Sequence, residues 1–275
     1  MKAFRGQPSI FTSRHPEDKR ADLEVSNLSL NFGGVIALDD INLSVHTGEL
    51  LAIIGPNGAG KTSLLNCITG YYRAQEGKII FNGKDITSLS AHHLTGLGIG
   101  RTFQNIELFP SLSVLSNMLL ARHIHTRYGV GLAAVFSPSV KRQEVYHRKI
   151  LEELIDFLEM HAIRKKLVGS LPYGLRKRVE LGRALALEPR LLVLDEPFAG
   201  MTLEEKGDMA RFLVELNEGW GQTMILVEHD MSVVMSISKR VVVLDFGKKI
   251  TEGPPGIVQN HPQVIKAYLG DAVKI

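Results

Sequence analysis

The sequence predicts an α/β fold: a parallel sheet interrupted by an inserted helical subdomain and accompanied by a small antiparallel β subdomain. Three observations indicate this fold. Apolar strand-like runs after residue 187 are separated by helical segments, which is the pattern of a parallel sheet. A glycine-rich loop joins an apolar strand to a helix near residue 55, and strand-like patterning fades between residues 88 and 187.

The first part of the fold is predicted to be rich in strands. Leu23–Asn31 and Ile36–Val45 alternate apolar and polar residues, as half-buried strands do. Leu50–Ile54 is apolar throughout, which is typical of a strand buried on both faces. A helix over 61–69 and a β-hairpin over 78–86 are predicted to follow.

The inserted part is predicted to be mostly helical. Arg142–Glu159 is rich in charge and places Ile150, Leu154 and Leu158 at helical spacing. Within the insertion, a short strand is predicted near Ile99–Phe103.

The parallel sheet is predicted to resume after the insertion. Arg190–Leu194, Thr223–Val227 and Arg240–Asp245 are apolar runs of strand length. Helices are predicted between them, over 203–218 and over 231–238.

These elements predict three segments along the chain. The first is a basic N-terminal tail over 1–22. The second is one α/β domain over 23–260, whose helical subdomain spans about 90–180. The third is a C-terminal helical extension over 261–275, with its helix at Gln263–Leu269.

Composition and charge exclude several classes of protein. Hydrophobic residues make up 44% and charged residues 22% of the chain, so a disordered or collagen-like protein is excluded. The single Cys67 cannot form an internal disulfide, which fits a reducing compartment. The net charge of +3 resides in residues 1–20, because the remainder holds 27 basic and 27 acidic residues. The charge therefore gives no support to a nucleic-acid partner. The sequence also predicts neither a signal peptide nor a membrane span.

A phosphate-binding loop is predicted directly after the apolar strand at 50–54. Its residues are Gly55, Pro56, Asn57, Gly58, Ala59, Gly60, Lys61 and Thr62, followed by Ser63. They fit the G-x-x-x-x-G-K-[ST] pattern, in which glycines let backbone N–H groups face the phosphates. The N-terminus of the next helix favours the same anion. Lys61 is predicted to reach the β- and γ-phosphates and Thr62 to ligate Mg²⁺.

A second motif lies at the end of the apolar run 191–194, where Asp195 and Glu196 follow each other. Carboxylates at the carboxyl end of a parallel strand emerge at the edge where α/β proteins bind ligands. We expect Asp195 to hold Mg²⁺ through water and Glu196 to polarise the attacking water. The two motifs together indicate a P-loop nucleotidase. A GTPase is disfavoured because the chain has no Asn-Lys-x-Asp segment.

With these motifs in place, the sequence resembles the ATP-binding cassette (ABC) family over roughly Leu23–Gly270. Five further elements match the family in order and spacing. They are the Gln-loop residue Gln104, the signature segment Leu171–Leu175, the strand end Asp195-Glu196-Pro197, the D-loop segment Ala199–Thr202 and the switch residue His229. Phe32 stands where family members place an aromatic ring that stacks on adenine.

The resemblance implies an ATPase domain of two half-sites that dimerises head to tail. Gly174 would then contact the γ-phosphate of ATP held by the opposite subunit. Gln104 and His229 would sense the γ-phosphate of the chain's own ATP, Gln104 would also ligand Mg²⁺, and Glu196 would be the general base. The signature departs from the usual LSGGQ at Pro172, Tyr173 and Leu175. Thr202 likewise replaces the usual D-loop Asp.

Within the family, the chain is most similar to ATP-binding subunits of branched-chain amino acid importers. The supporting segments are Pro-Tyr-Gly-Leu at 172–175, Ala-Gly-Met-Thr at 199–202, Val-Glu-His-Asp-Met at 227–231 and Ala-Tyr-Leu-Gly at 267–270. The resemblance implies two permease subunits, a second ATPase subunit and an external solute-binding protein. It places the chain at the cytoplasmic face of the membrane, with residues 105–115 in the groove for a permease helix.

Three alternatives remain open at this point. Subunits for urea or short-amide uptake and for lipid export share parts of the same pattern. A soluble cassette ATPase acting on ribosomes or DNA is disfavoured. Such proteins usually carry tandem cassettes or long coiled coils, and the sequence indicates neither. An ATP-binding regulatory subunit with little hydrolysis is suggested by the altered signature.

Overall fold

A computed structural model describes residues 21–125 and 138–269. Residues 1–20 of the tail predicted over 1–22 and the last residues of the C-terminal extension lie outside this part of the chain, and the remaining tail residues, 21 and 22, belong to the first strand. In chain order, the elements are β1 (Ala21–Phe32), β2 (Val35–His46), β3 (Leu50–Ile54), α1 (Lys61–Ile68), β4 (Glu76–Phe81), β5 (Lys84–Asp85), α2 (Ala91–Leu97), β6 (Ile99–Arg101), α3 (Val114–Ala121), α4 (Pro138–Phe157), α5 (Tyr173–Leu185), β7 (Leu191–Asp195), α6 (Leu203–Val214), β8 (Thr223–Val227), α7 (Met231–Ile237), β9 (Arg240–Asp245), β10 (Lys248–Gly253), α8 (Pro255–Val258) and α9 (Pro262–Leu269).

The predicted parallel sheet is present, with six strands in the order β10-β9-β3-β8-β7-β6. The five strands from β9 to β6 run parallel to one another, and β10 pairs antiparallel with β9. Every residue of β3, β7 and β8 is buried, which explains their continuous apolar runs.

The antiparallel subdomain is a separate four-stranded sheet in the order β2-β1-β4-β5. The alternation predicted for the first two strands is confirmed, because in β1 and β2 buried apolar residues alternate largely with more exposed ones. The predicted hairpin is also confirmed as the antiparallel pair β4 and β5.

Side chains of the parallel sheet point alternately into two cores. On one face, Leu192, Leu194 and Leu226 pack with the helical insertion and α6. On the other face, Leu191 and Val193 pack with α1 and the antiparallel sheet. The sheet is therefore covered on both faces, and its open side is the edge at the carboxyl ends of the strands.

Two elements differ from the sequence predictions. The segment Lys248–Gly253 was not predicted as a strand but forms β10, an edge strand whose residues are partly or fully exposed. An edge strand facing water has no apolar alternation to detect. The helix predicted over 203–218 ends as an α-helix at Val214 and continues as a π-helical turn over Glu215–Gly219.

The described part of the predicted insertion contains α2 to α5, several 3₁₀ turns and β6. Its short strand pairs in parallel with β7 at the edge of the sheet. Within residues 21–125 and 138–269, no helix is long and apolar enough to cross a lipid bilayer.

Candidate active site

The glycine-rich loop leaves β3 and enters α1, as predicted. Its backbone is tightly enclosed at both ends. A Cβ atom at Gly55 would lie 2.1 Å from the carbonyl oxygen of Leu244, and one at Gly60 would lie 2.6 Å from that of Ala37. Gly60 also has a φ of 99°, in the region that favours glycine. The loop conformation thus depends on these two glycines, and its first residue is anchored against β9.

Lys61 begins α1, and its ammonium folds back over the loop. Its Nζ donates hydrogen bonds to the carbonyl oxygens of Gly55 at 2.7 Å and Pro56 at 2.9 Å. Burial lowers the pKa of Lys61, while the charges of Glu196 and Asp195 act in the opposite direction. The cation is therefore held at the mouth of the loop, with both carboxylates of the acidic strand end within electrostatic range.

Asp195 ends β7 and is 2% exposed. Its Oδ2 accepts a hydrogen bond from Nη2 of Arg101 at 2.8 Å. Its Oδ1 is buried and has no hydrogen-bond partner among the described residues. A buried carboxylate oxygen left unpaired is costly unless a cation or water completes it. Together with the exposed hydroxyl-bearing Thr62 in the first turn of α1, Asp195 offers the hard oxygen ligands that Mg²⁺ prefers.

Glu196, Gln104 and His229 meet at the same edge of the sheet. Nε2 of Gln104 donates to Oε2 of Glu196 at 2.9 Å. Nδ1 of His229 lies 3.9 Å from that same oxygen. The three residues meet because β6, β7 and β8 are neighbours and each residue follows the carboxyl end of one of them. The role of Gln104 as a metal ligand is not tested by this contact and stays a prediction.

Two sets of buried charges support this cluster and were not predicted. Glu228 accepts backbone N–H bonds from Phe198 at 2.9 Å and His229 at 3.1 Å. Burial raises the pKa of Glu228, and those two hydrogen bonds oppose the rise. From α5, Lys177 Nζ donates to the carbonyl oxygen of Gln104 at 2.9 Å, and Glu180 accepts the N–H of Phe103 at 3.2 Å. The backbones that carry His229 and Gln104 are thus held by carboxylates and an ammonium. In the sequence, Glu228 is signalled only as a charged residue directly after the apolar run of β8, whereas Lys177 and Glu180 lie among the other charged residues of α5.

Phe32 ends β1 with 46% of its surface exposed. Its ring meets the ring of Tyr72 edge to face, with centroids 5.1 Å apart. The hairpin that carries Phe32 is attached to the phosphate loop, because the β2 residue Ala37 packs against Gly60. Tyr72 is the partner that the sequence did not indicate. The pair forms an exposed aromatic surface on the subdomain that packs against the loop.

The signature segment starts α5, with Pro172 as the residue before the first turn. Gly174 is buried, and a Cβ atom there would lie 2.1 Å from Oε1 of Glu205 in α6. Gly200 of the D-loop segment packs against the ring of Tyr173, since a Cβ atom at Gly200 would lie 2.9 Å from Cε1 of that ring. The signature and D-loop segments therefore contact each other within one chain. The contact of Gly174 with a partner's nucleotide stays a prediction.

Comparison with known proteins gives one consistent family. The family profile described as "ABC transporter" matches residues 38–199, and one described as "Branched-chain amino acid ATP-binding cassette transporter" matches residues 248–274. The chain is 38% identical over 255 residues to the high-affinity branched-chain amino acid transport ATP-binding protein BraF of Pseudomonas aeruginosa, covering 92% of this chain and 99% of that protein.

Solved structures give the same result. The ADP conformation of MJ1267, an ATP-binding cassette of an ABC transporter, superimposes with a TM-score of 0.79 at 32% identity and covers 92% of this chain and 100% of that chain. The dimeric structure of MJ0796, a bacterial ABC transporter cassette, superimposes with a TM-score of 0.72 at 26% identity and covers 85% of this chain and 98% of that chain.

Proposed function

The chain belongs to the ABC transporter family as an ATP-binding subunit with ATPase activity, and from this premise we propose that it powers the import of branched-chain amino acids or related small solutes through partner permeases. The observation that supports hydrolysis best is the meeting of Glu196, Gln104 and His229 beside the phosphate loop. The observation that supports the substrate class is the similarity to BraF over nearly the full length of both chains.

We infer the following roles for the site residues in hydrolysis. Mg²⁺, held by Thr62, Gln104 and Asp195, would offset charge on the phosphates of ATP. Backbone N–H groups of the loop from Gly55 to Ser63, apart from Pro56, which has none, bind the phosphates, and Lys61 exchanges its loop carbonyl partners for phosphate oxygens. Glu196 accepts the proton of the attacking water, and Gln104 keeps the accepting oxygen in place through its 2.9 Å hydrogen bond. We infer that His229, whose Nδ1 lies 3.9 Å from the same oxygen, senses the γ-phosphate beside the attacking water.

We also propose that two copies, or this chain and a related one, form a dimer. Each ATP would lie between the phosphate loop of one chain and Gly174 of the other. The dimeric MJ0796 cassette supports such an assembly. Pro172 stands just before the first helical turn, where its missing N–H removes no hydrogen bond of the helix, so α5 retains a regular start despite the altered signature.

A cleft beside the Gln loop is our candidate for the permease contact. It encloses about 300 Å³ between α2, α3 and α5, and its walls are mainly apolar with two arginines. Its lining residues include Tyr71, Leu94, Arg101, Phe103, Leu120 and Arg183. The predicted groove segment 105–115 does not line this cleft but follows Gln104, the residue after the cleft residue Phe103. An apolar permease helix bound here would hold the chain at the cytoplasmic face of the membrane. The external solute-binding protein would act through the permease.

The proposed function is tested by reconstitution with branched-chain amino acid permease subunits. We expect ATP-dependent uptake of leucine, isoleucine or valine into proteoliposomes and ATPase activity that the permease increases. Uptake of urea or export of lipid instead would support the alternative transporters. Hydrolysis that is indifferent to the permease would support a non-transport ATPase. Binding of ATP without hydrolysis in the complex would support a regulatory subunit.

Phe32→Ala is expected to weaken ATP binding by about 1–3 kcal/mol, because one base–aromatic stack contributes that much. Affinity for a fluorescent ATP analogue measures the effect. Phe32→Tyr keeps the ring and should bind as the wild type does. Phe109→Ala removes a similarly exposed ring in the helical subdomain and serves as the matched control. Equal affinities for the Phe32→Ala and Phe109→Ala variants would contradict the adenine role.

A further inference from the structure

Arg101 is an arginine of unusual connectivity at the end of β6. Its side chain is 8% exposed, and its guanidinium contacts both the active-site residue Asp195 and the carboxyl-terminal end of α1. Nη2 pairs with Oδ2 of Asp195 at 2.8 Å. Nη1 donates to Oδ1 of Asn66 at 2.7 Å and to Oγ1 of Thr69 at 2.8 Å. Arg101 thus joins the strand end that carries Asp195 to the helix that follows the phosphate loop.

Two aromatic rings confine the same guanidinium. Its central carbon lies 5.4 Å from the ring centroid of Tyr71 and 5.2 Å from that of Phe103. The rings themselves meet edge to face at 5.9 Å. A planar guanidinium can pair with a carboxylate and stack on rings at once, which the compact ammonium of lysine cannot do. The position and orientation of Arg101 are therefore determined from several sides.

In the described part of the chain, this arrangement pairs one oxygen of Asp195 and leaves the other without a hydrogen-bond partner. Oδ2 is held by Arg101, whereas Oδ1 is buried without a hydrogen-bond partner in the described part of the chain. The ammonium of Lys61 also senses the charge of Asp195. Without Arg101 as its partner, the buried carboxylate of Asp195 would attract the ammonium of Lys61 more strongly. Lys61 is the group that the phosphates of ATP require.

We propose that Arg101 is a positioning residue for the ATPase reaction, one that holds Oδ2 of Asp195 and presents Oδ1 to the magnesium ion of Mg·ATP. The inference rests on the proposed function, because Mg·ATP is the ligand. This role distinguishes the pair of Arg101 and Asp195 from an ordinary ion pair between two strands. An ordinary pair would contribute to folding stability alone and would not affect how metal changes nucleotide affinity.

The test compares nucleotide affinity with and without metal. A fluorescent ATP analogue is titrated into the full chain in excess Mg²⁺ and in EDTA. For Arg101→Met, we expect the gain in affinity on adding Mg²⁺ to fall about tenfold or more, a range typical for groups that orient a metal ligand. Affinity in EDTA should change by less than about twofold. Arg101→Lys keeps the positive charge but lacks the several N–H donors of the planar guanidinium, and it should recover part of the gain.

Two further variants separate positioning from folding. In an Asp195→Asn background, Arg101→Met should change the Mg²⁺ gain no further, since residues that act through one another are not additive. Arg73→Met removes a more exposed arginine near the end of α1, whose guanidinium donates to the Ser88 carbonyl oxygen, and should leave the gain unchanged. If Arg101→Met does not fold, Arg101→Lys and Asn66→Ala, which frees Nη1 alone, provide the same comparison.

An unchanged Mg²⁺ gain in a folded Arg101→Met or Arg101→Lys variant would overturn the inference. So would equal losses in Mg²⁺ and in EDTA, or additive effects with Asp195→Asn. Failure of the proposed function looks different, because the wild-type chain itself would then show no ATP binding or no gain with Mg²⁺.

Discussion

Glu196→Gln is expected to bind ATP with nearly wild-type affinity and to lose about 10²–10⁴-fold in turnover. The amide keeps the size of the side chain but cannot accept the proton of the attacking water. Gln104 donates to Oε2 of Glu196 at 2.9 Å, so the carboxylate is held at the edge of the sheet beside the phosphate loop. Steady-state phosphate release and binding of a fluorescent ATP analogue measure the two quantities separately.

The matched control for this variant is Glu204→Gln, which makes the same change at an exposed position in the first turn of α6. Its turnover should equal that of the wild type. A Glu196→Gln variant that hydrolyses ATP at the wild-type rate would show that another group is the base.

Lys61→Ala is expected to weaken ATP binding by about 100-fold or more, since hydrogen bonds to charged groups contribute about 1.5–3 kcal/mol each. The substitution also leaves the carbonyl oxygens of Gly55 and Pro56 without their donor. Burial lowers the pKa of Lys61 below that of an ordinary lysine. As the pH rises, ATP affinity of the wild type should therefore begin to decrease at a lower pH than it would with a fully exposed lysine, because the neutral amine no longer attracts phosphate.

Isothermal titration of ATP into both proteins, repeated over a range of alkaline pH, measures these effects. Lys84→Ala removes an exposed lysine in β5 and should bind ATP normally. Wild-type affinity in Lys61→Ala would contradict the assignment of the phosphate loop.

Local patterns in the sequence were sufficient for much of the site. The loop from Gly55 to Ser63 is recognisable because its function depends on consecutive backbone groups, so its residues are adjacent in the chain. Asp195 and Glu196 are recognisable because a buried parallel strand is apolar until it reaches the ligand edge. The same reasoning predicted the order of the main strands and helices around them.

Residues that act through distant partners were harder to find. A single Gln, His or Phe has many structural roles, and Gln104, His229 and Phe32 became candidates through their order in a family pattern. Arg101 and Glu228 were not assigned roles, because their partners are distant in the chain. Asp195 lies 94 residues from Arg101, and Phe198 lies 30 residues from Glu228. The close contact between Gly174 and Glu205 is likewise set by the packing of α5 against α6.

By itself, the sequence determined the fold class, the phosphate loop and the acidic strand end of this protein, because each depends on short-range periodicity and on adjacent residues. Only the tertiary structure decided that Arg101 occupies one oxygen of Asp195, while the other has no hydrogen-bond partner within residues 21–125 and 138–269. It also decided that Gln104 and His229 converge on the same oxygen of Glu196. These facts follow from the order of β6, β7 and β8 in the sheet, which brings side chains far apart in the chain to within 3.9 Å of one another.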